Sequence, residues 1–138
     1  MASLAEIREG LRARLATIEG LRAHAYWPKS ISHPAAVVDL DNRTPHIRSG
    51  NGSLTRWRIT VLAGPASIVT DEGQATRDEY LAASGDRSVQ AALEGEKSLG
   101  GVASSLVVTS VDNGPILEWP PGTGAYYWGG SVDCEIRD

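Results

Sequence analysis

The sequence contains no phenylalanine, two lysines and a single cysteine, Cys134, in 138 residues. A lone cysteine excludes an intramolecular disulfide, which suits a reducing compartment. No run approaches the roughly 18 consecutive apolar residues that a membrane-spanning helix needs. The opening stretch MASLAEIREG places Glu6 and Glu9 where a signal peptide carries an unbroken apolar core, which argues against secretion by that route. Asn42-Arg43-Thr44 and Asn51-Gly52-Ser53 fit the glycosylation acceptor pattern. Without a secretory route they read as turn residues.

Catalytic and metal-binding patterns are also scarce. His24, His33, His46 and Cys134 are the histidines and cysteine available for zinc, and no two of them have the short spacing that zinc sites favour. Cys134 alternates with Val132 and Ile136 on an apolar face, where a thiol behaves as a small hydrophobe rather than a nucleophile. Gly95-Glu96-Lys97-Ser98 resembles the end of a phosphate loop, but Glu96 separates the glycine from Lys97 and the upstream glycine is missing. The stretch GTGAYYWGG starts like a dinucleotide fingerprint and then has Tyr127 in the third glycine's place. The carboxylate pairs Asp39/Asp41 and Asp133/Glu135 each share a strand face with no apolar enclosure in the pattern, so solvated faces are the expectation. No enzymatic site, cofactor or metal is expected.

What is present is the pattern of one domain, residues 1–138. A chain of this size buries enough surface for a core without metal or disulfide help. Leu4, Ile7, Leu11, Leu15 and Ile18 form one helical stripe, so a helix is predicted over Ser3–Glu19. Ser3 and Glu6 make a capping box and Gly20 a stop. Glu6, Arg8, Glu9, Arg12 and Arg14 fill the opposite face. Strands are predicted over 21–27 and 34–40, the second more buried. A hairpin follows, with arms Pro45–Ser49 and Leu54–Ala63 around Gly50-Asn51-Gly52. A second helix is predicted over Asp71–Ala83, with Ala75, Tyr80 and Leu81 inward. Asp86 or Ser88 caps a third that runs through Leu93. Strands over 102–111, 116–119 and 125–136 complete the chain, the last two as a hairpin. In the last, Tyr126, Trp128, Gly130, Val132, Cys134 and Ile136 share one face, and Asp133 and Glu135 lie on the other. The fold class expected is α+β: a mainly antiparallel sheet, helices packed on one of its faces, and a protruding β-hairpin.

The charge distribution is uneven. The chain nets −4, yet Asp41–Arg58 holds four arginines, Arg43, Arg48, Arg56 and Arg58, against one acid. With Trp57, Ile59 and Val61 facing inward, Arg56 and Arg58 point away from the core. Charge on an edge hairpin deters unwanted strand pairing. The same ribbon could contact an acidic protein surface or DNA phosphates.

Residues 4–28, LAEIREGLRARLATIEGLRAHAYWP, resemble the opening of tail terminator (tail completion) proteins of long-tailed bacteriophages. PAAVV at 34–38, WRITVLAGPAS at 57–67, YLAASGDRSVQAALE at 80–94 and LGG at 99–101 extend the resemblance over nearly the whole chain. It implies a structural virion protein that forms a ring, usually a hexamer, on the head-proximal end of the tail tube. Such a ring stops tube polymerisation and joins the tail to the head connector or stopper protein. DNA then passes through the lumen without specific binding, and assembly takes place in the host cytoplasm. Another neck component, such as a head-completion or stopper protein, or an unrelated oligomeric adaptor is the alternative; a small enzyme or small-ligand-binding module, which would need a pocket with convergent polar groups, is a third. On the ring reading, Arg43, Arg48, Arg56 and Arg58 are candidate contacts to a protein partner. Asp133 and Glu135 are their candidate complement on a neighbouring copy.

Overall fold

The structure is a computed structural model and describes residues 3–29, 32, 34–40, 47–49, 52–65, 71–112, 117–118, 122 and 125–137. Helix α1 spans Leu4–Leu15. Its start is the expected capping box: the Ser3 hydroxyl accepts from the Glu6 amide at 3.1 Å, and the Glu6 carboxylate accepts from the Ser3 amide at 3.2 Å. Ile7, Leu11 and Leu15 are buried. The helix ends four residues before the predicted Glu19, because the chain tightens. The amides of Thr17 and Ile18 donate to carbonyls three residues back, at 3.2 and 3.1 Å. This turn still buries Ile18, and Gly20 closes it at φ +84°. Leu4, at the other end of the stripe, is 40% exposed.

Strand β1 (Arg22–His24) runs parallel to β2 (Ala35–Leu40). The predicted strand over 21–27 is thus cut short, and a side chain explains where it stops. The Arg8 guanidinium donates to the Ala25 and Val38 carbonyls, both at 2.8 Å, and so satisfies an acceptor that would otherwise demand a ladder. The same group lies 4.5 Å from the Tyr26 ring centroid and 5.3 Å from that of Trp57. Arg8 therefore leaves the helix's polar face, where the sequence pattern puts it, and reaches the sheet.

Strand β3 (Ile47–Ser49) pairs antiparallel with β4 (Gly52–Pro65), so the hairpin forms. Gly52 is already in the strand, paired with Ser49, rather than in the turn. The remaining turn residues, 50 and 51, and residues 41–46 lie outside the described residues. Helix α2 is Asp71–Leu81, with Tyr80 and Leu81 buried. Ala75, expected inward, is exposed. Arg77 occupies that face instead, its side chain 14% exposed and its guanidinium 5.5 Å from the Trp128 ring. Helix α3 is Val89–Glu94. Of the two cap candidates Ser88 does the work, accepting from the Ala91 amide at 3.0 Å and donating to the Ala82 carbonyl at 2.6 Å. A short turn, Leu99–Gly101, then has φ of 51°, 74° and 99° in succession. Leu99 is buried there against α1, and a Cβ added at Gly10 would sit 3.0 Å from the Leu99 Cβ. Glycine in mid-helix is what allows this approach.

Strands β5 (Ser105–Asp112), β6 (Leu117–Glu118) and β7 (Tyr126–Arg137) complete one sheet, ordered β1-β2-β4-β7-β5. β3 pairs with β4 beyond β2, and β6 pairs with β7 beyond β5, so the two long strands β4 and β7 form the centre. Every pair but β1/β2 is antiparallel, and the helices pack on one face, as expected for α+β. That face carries Ala36, Val38, Trp57, Ile59, Val132, Cys134 and Ile136 into the core formed with Ile7, Leu11, Leu15, Leu93 and Leu99. The segment 35–38 is buried on both sides, as its unbroken apolar run implies.

Two substitutions test this packing. Leu11 has no exposed surface. Leu11→Ala should therefore destabilise the protein by about 2–5 kcal/mol in denaturant unfolding. At Gly130 an added Cβ would collide with the Asp112 carbonyl and the Leu81 Cδ1. Gly130→Ala should cost about 1–3 kcal/mol by overpacking. A neutral result at either site would mean that the helix or β5 does not seat on the sheet as described.

Candidate interaction surface

Strand alternation decides which way the central arginines point. Trp57 and Ile59 are buried beneath the helices, so Arg56 and Arg58 emerge on the opposite face of the sheet. There each meets an acid of its own chain. The register of β4 against β7 sets Arg56 opposite Glu135 and Arg58 opposite Asp133. Arg56 Nε lies 2.9 Å from Glu135 Oε1. Arg58 grips Asp133 with two hydrogen bonds, Nε to Oδ1 at 2.9 Å and Nη2 to Oδ2 at 3.3 Å.

The row continues across the sheet. Asp133 Oδ2 also accepts from the Ser110 hydroxyl at 3.2 Å. On the other side Asp39 is in register with Arg58. Its carboxylate accepts from Trp27 Nε1 at 3.0 Å and from the Leu40 amide at 2.9 Å. Asp39, Arg58, Asp133 and Ser110 therefore form a polar row over β2, β4, β7 and β5. Within this chain, then, Arg56 and Arg58 are each paired with one of the two acids expected to complement them. Both pairs are partly solvated, with Arg56 and Glu135 side chains 35% and 31% exposed. Such pairs contribute about 0.2–1 kcal/mol each. Their larger role is register: a slip of one residue would set the arginines against Val132 and Cys134.

Of the other candidates, Arg48 lies in β3 opposite Ser53, on the hairpin arm. Arg43 lies outside the described residues, as do His33 and His46. Arg14, assigned to the polar face of the first helix, instead donates from Nε to the Ala92 carbonyl at 2.9 Å, tying α1 to the last turn of α3. Neither Arg8 nor Arg14 carries a sequence signal for this, since the carbonyls they reach are set by tertiary packing.

Two open depressions lie away from this row. One, about 430 Å³, runs between α1 and the Leu99–Gly101 turn and is lined by Ala5, Gly10, Ala13, Leu99 and Val102 with Glu6 and Glu9. The other, about 440 Å³, lies along the α2–α3 connection beside Glu79, Asp86 and Arg87. Neither lining places a thiol or imidazole beside a base. Among the described residues no three His, Cys, Asp or Glu side chains are grouped to hold a metal ion. No helix of the described residues is long and apolar enough to cross a membrane. Cys134 is buried, and burial followed by the charges of Asp133 and Glu135 pushes its thiol up to about 12.

A double-mutant cycle on Arg58 and Asp133 should return a coupling of up to about 1 kcal/mol, larger than that for Arg56 and Glu135 because the contact is two-pronged. Equal, negligible couplings would show that the row is not formed in solution. Cys134 should resist thiol reagents at pH 8 until the protein is unfolded. The folded state holds the thiol proton more tightly than the unfolded chain. This contribution to stability is therefore present at neutral pH and declines as pH rises from the usual 9.0 towards about 12. Rapid native-state labelling would contradict the burial.

Compared with known proteins, the chain matches no family model and no curated protein at a significant level.

Proposed function

We propose that this chain is a tail terminator: a structural protein of the virion that closes the head-proximal end of a phage tail tube as a ring, usually of six copies. The observation that carries the proposal is the order of its patterns along the chain. Residues 4–28, which resemble the opening of that family, cover α1 and β1. PAAVV leads into β2, and the segment from Trp57 runs through the inner part of β4. YLAASGDRSVQAALE joins the end of α2 to α3, and LGG is the turn of positive φ before β5.

The physical logic of the role needs no catalysis. A heterologous contact repeated around an axis closes into a ring when the rotation permits. Such a ring covers the growing end of the tube and offers its far side to the head connector or stopper protein. The chain's net charge of −4 disfavours retention of DNA phosphates in the lumen. Arg56 and Arg58 have acidic partners within the sheet, so on this reading it is the hairpin arm carrying Arg48, with Arg43 before it, that meets an acidic protein partner. Assembly takes place in the host cytoplasm, and the finished ring stays in the virion.

The test is electron microscopy of purified tail-tube protein polymerised with and without this chain. Tubes should stop at shorter lengths and carry a ring at one end. Arg48→Glu should weaken that binding, wild-type binding should weaken with added salt, and duplex DNA should bind poorly at moderate salt. Tubes of unchanged length with nothing bound would overturn the proposal. A chain that binds the head connector but leaves tubes uncapped would instead be a head-completion or stopper protein.

A further inference from the structure

The sheet ends in two lateral edges, β1 on one side and β5 on the other, and among the described residues no strand pairs with the outer side of either. β1 runs with β2, against β4, with β7 and against β5, so the two edge strands are antiparallel to each other. In a ring of like-oriented copies the β5 edge of one copy faces the β1 edge of the next. Their directions then suit the antiparallel ladder, the more stable kind.

Length and side-chain pattern also match. A register shift between Val108 and Ser110 interrupts β5 and leaves Ser110–Asp112 as a regular stretch of three residues. β1 is three residues long, Arg22–His24. Asp112 and Ser110 share the outer face with Ser131 and Asp133, their partners in β7, while Val111 faces the helices beside Val132. Arg22 and His24 share the outer face with Ala35 and Val37, while Ala23 lies with Ala36 on the helix side.

We infer that ring closure takes place by addition of β5 to β1 of the next copy, with Asp112 opposite Arg22, Val111 opposite Ala23 and Ser110 opposite His24. This rests on the ring reading above. Asp112 and Arg22 are both exposed, are the charged residues of opposite sign on these two edges, and among the described residues have no ion-pair partner in their own chain. Val111 and Ala23 are each partly buried at the margin of the core. Set side by side, they continue that core across the boundary between copies. Neither strand contains lysine or proline, two of the residues that commonly keep an edge from pairing.

The experiment is a charge swap read by sedimentation velocity and by tube capping. It compares the wild type with Asp112→Arg, Arg22→Asp and the two combined, each checked for native thermal unfolding. Each single reversal should weaken self-association about tenfold, since it sets like charges face to face, and the double swap should restore it to within about threefold. Rings that form equally well in both single variants would overturn the contact and leave the capping role standing. A double swap as weak as the singles would overturn it too. A wild type that neither self-associates nor caps tubes would remove both readings.

Discussion

The pairing of β4 with β7 is the constraint on which the rest depends. From Leu54 against Arg137 to Pro65 against Tyr127 the two strands lie side by side, and their alternation divides the protein into two chemistries. On one side Trp57 meets Cys134 and Ile59 meets Val132. These residues are the floor on which α1, α2 and α3 sit. On the other side the same strands present Arg56, Arg58, Asp133 and Glu135. The apolar face supplies most of the driving force, because each fully buried large side chain is worth about 1.5–3 kcal/mol. The polar face adds little energy but makes the register unique, since a slip of one residue would bury arginine and expose tryptophan.

Two arginines from α1 lock the helical layer to this sheet, and both do so through backbone carbonyls. Arg8 takes the carbonyls of Ala25 and Val38, and Arg14 takes that of Ala92. A guanidinium suits such places. Its planar fork bonds more than one acceptor while its face rests on aromatic rings, as Arg8 does on Tyr26 and Trp57. The helix is therefore held at its buried stripe by packing and at its flanks by directional bonds. That arrangement fixes its rotation as well as its position. Gly10 lets Leu99 in from a third side, where three successive positive φ values turn the chain into β5.

What could be read in the sequence follows from which forces are local. The capping box at Ser3 and Glu6, the stripe Ile7-Leu11-Leu15, the Ser88 cap and the alternation in β4 and β7 depend on neighbours a few residues away, and all of them stand. Helix ends were less legible: the turn after Leu15 is set by where Ile18 can reach the core. Apolar character alone does not say which face of a weak helix meets the sheet: Ala75 is exposed, and the stem of Arg77 fills the inward place. The candidate surface was half visible. That Arg56 and Arg58 emerge together follows from the period of two, and so does the shared face of Asp133 and Glu135. That the two sets are adjacent strands in one chain is a matter of topology, which period and spacing do not carry.

This adjacency changes where the charge of the protein can act at a distance. A strip of four arginines in an acidic chain suggests a strong local field. Cross-strand pairing turns half of that strip into closely spaced dipoles, whose field falls off within a few ångströms and is screened further by salt. On the outer sheet face Asp39, Arg58, Asp133 and Ser110 then form a polar row of fixed pattern. Charge also stands at the margins of the sheet, where Arg22 at one edge and Asp112 at the other are both exposed. Charges at margins are well placed to orient a neighbour, because they bias encounter without the desolvation cost that burial at the centre of an interface would impose. In the ring proposed above, oppositely charged edges at Arg22 and Asp112 would favour contact between copies side by side rather than face to face.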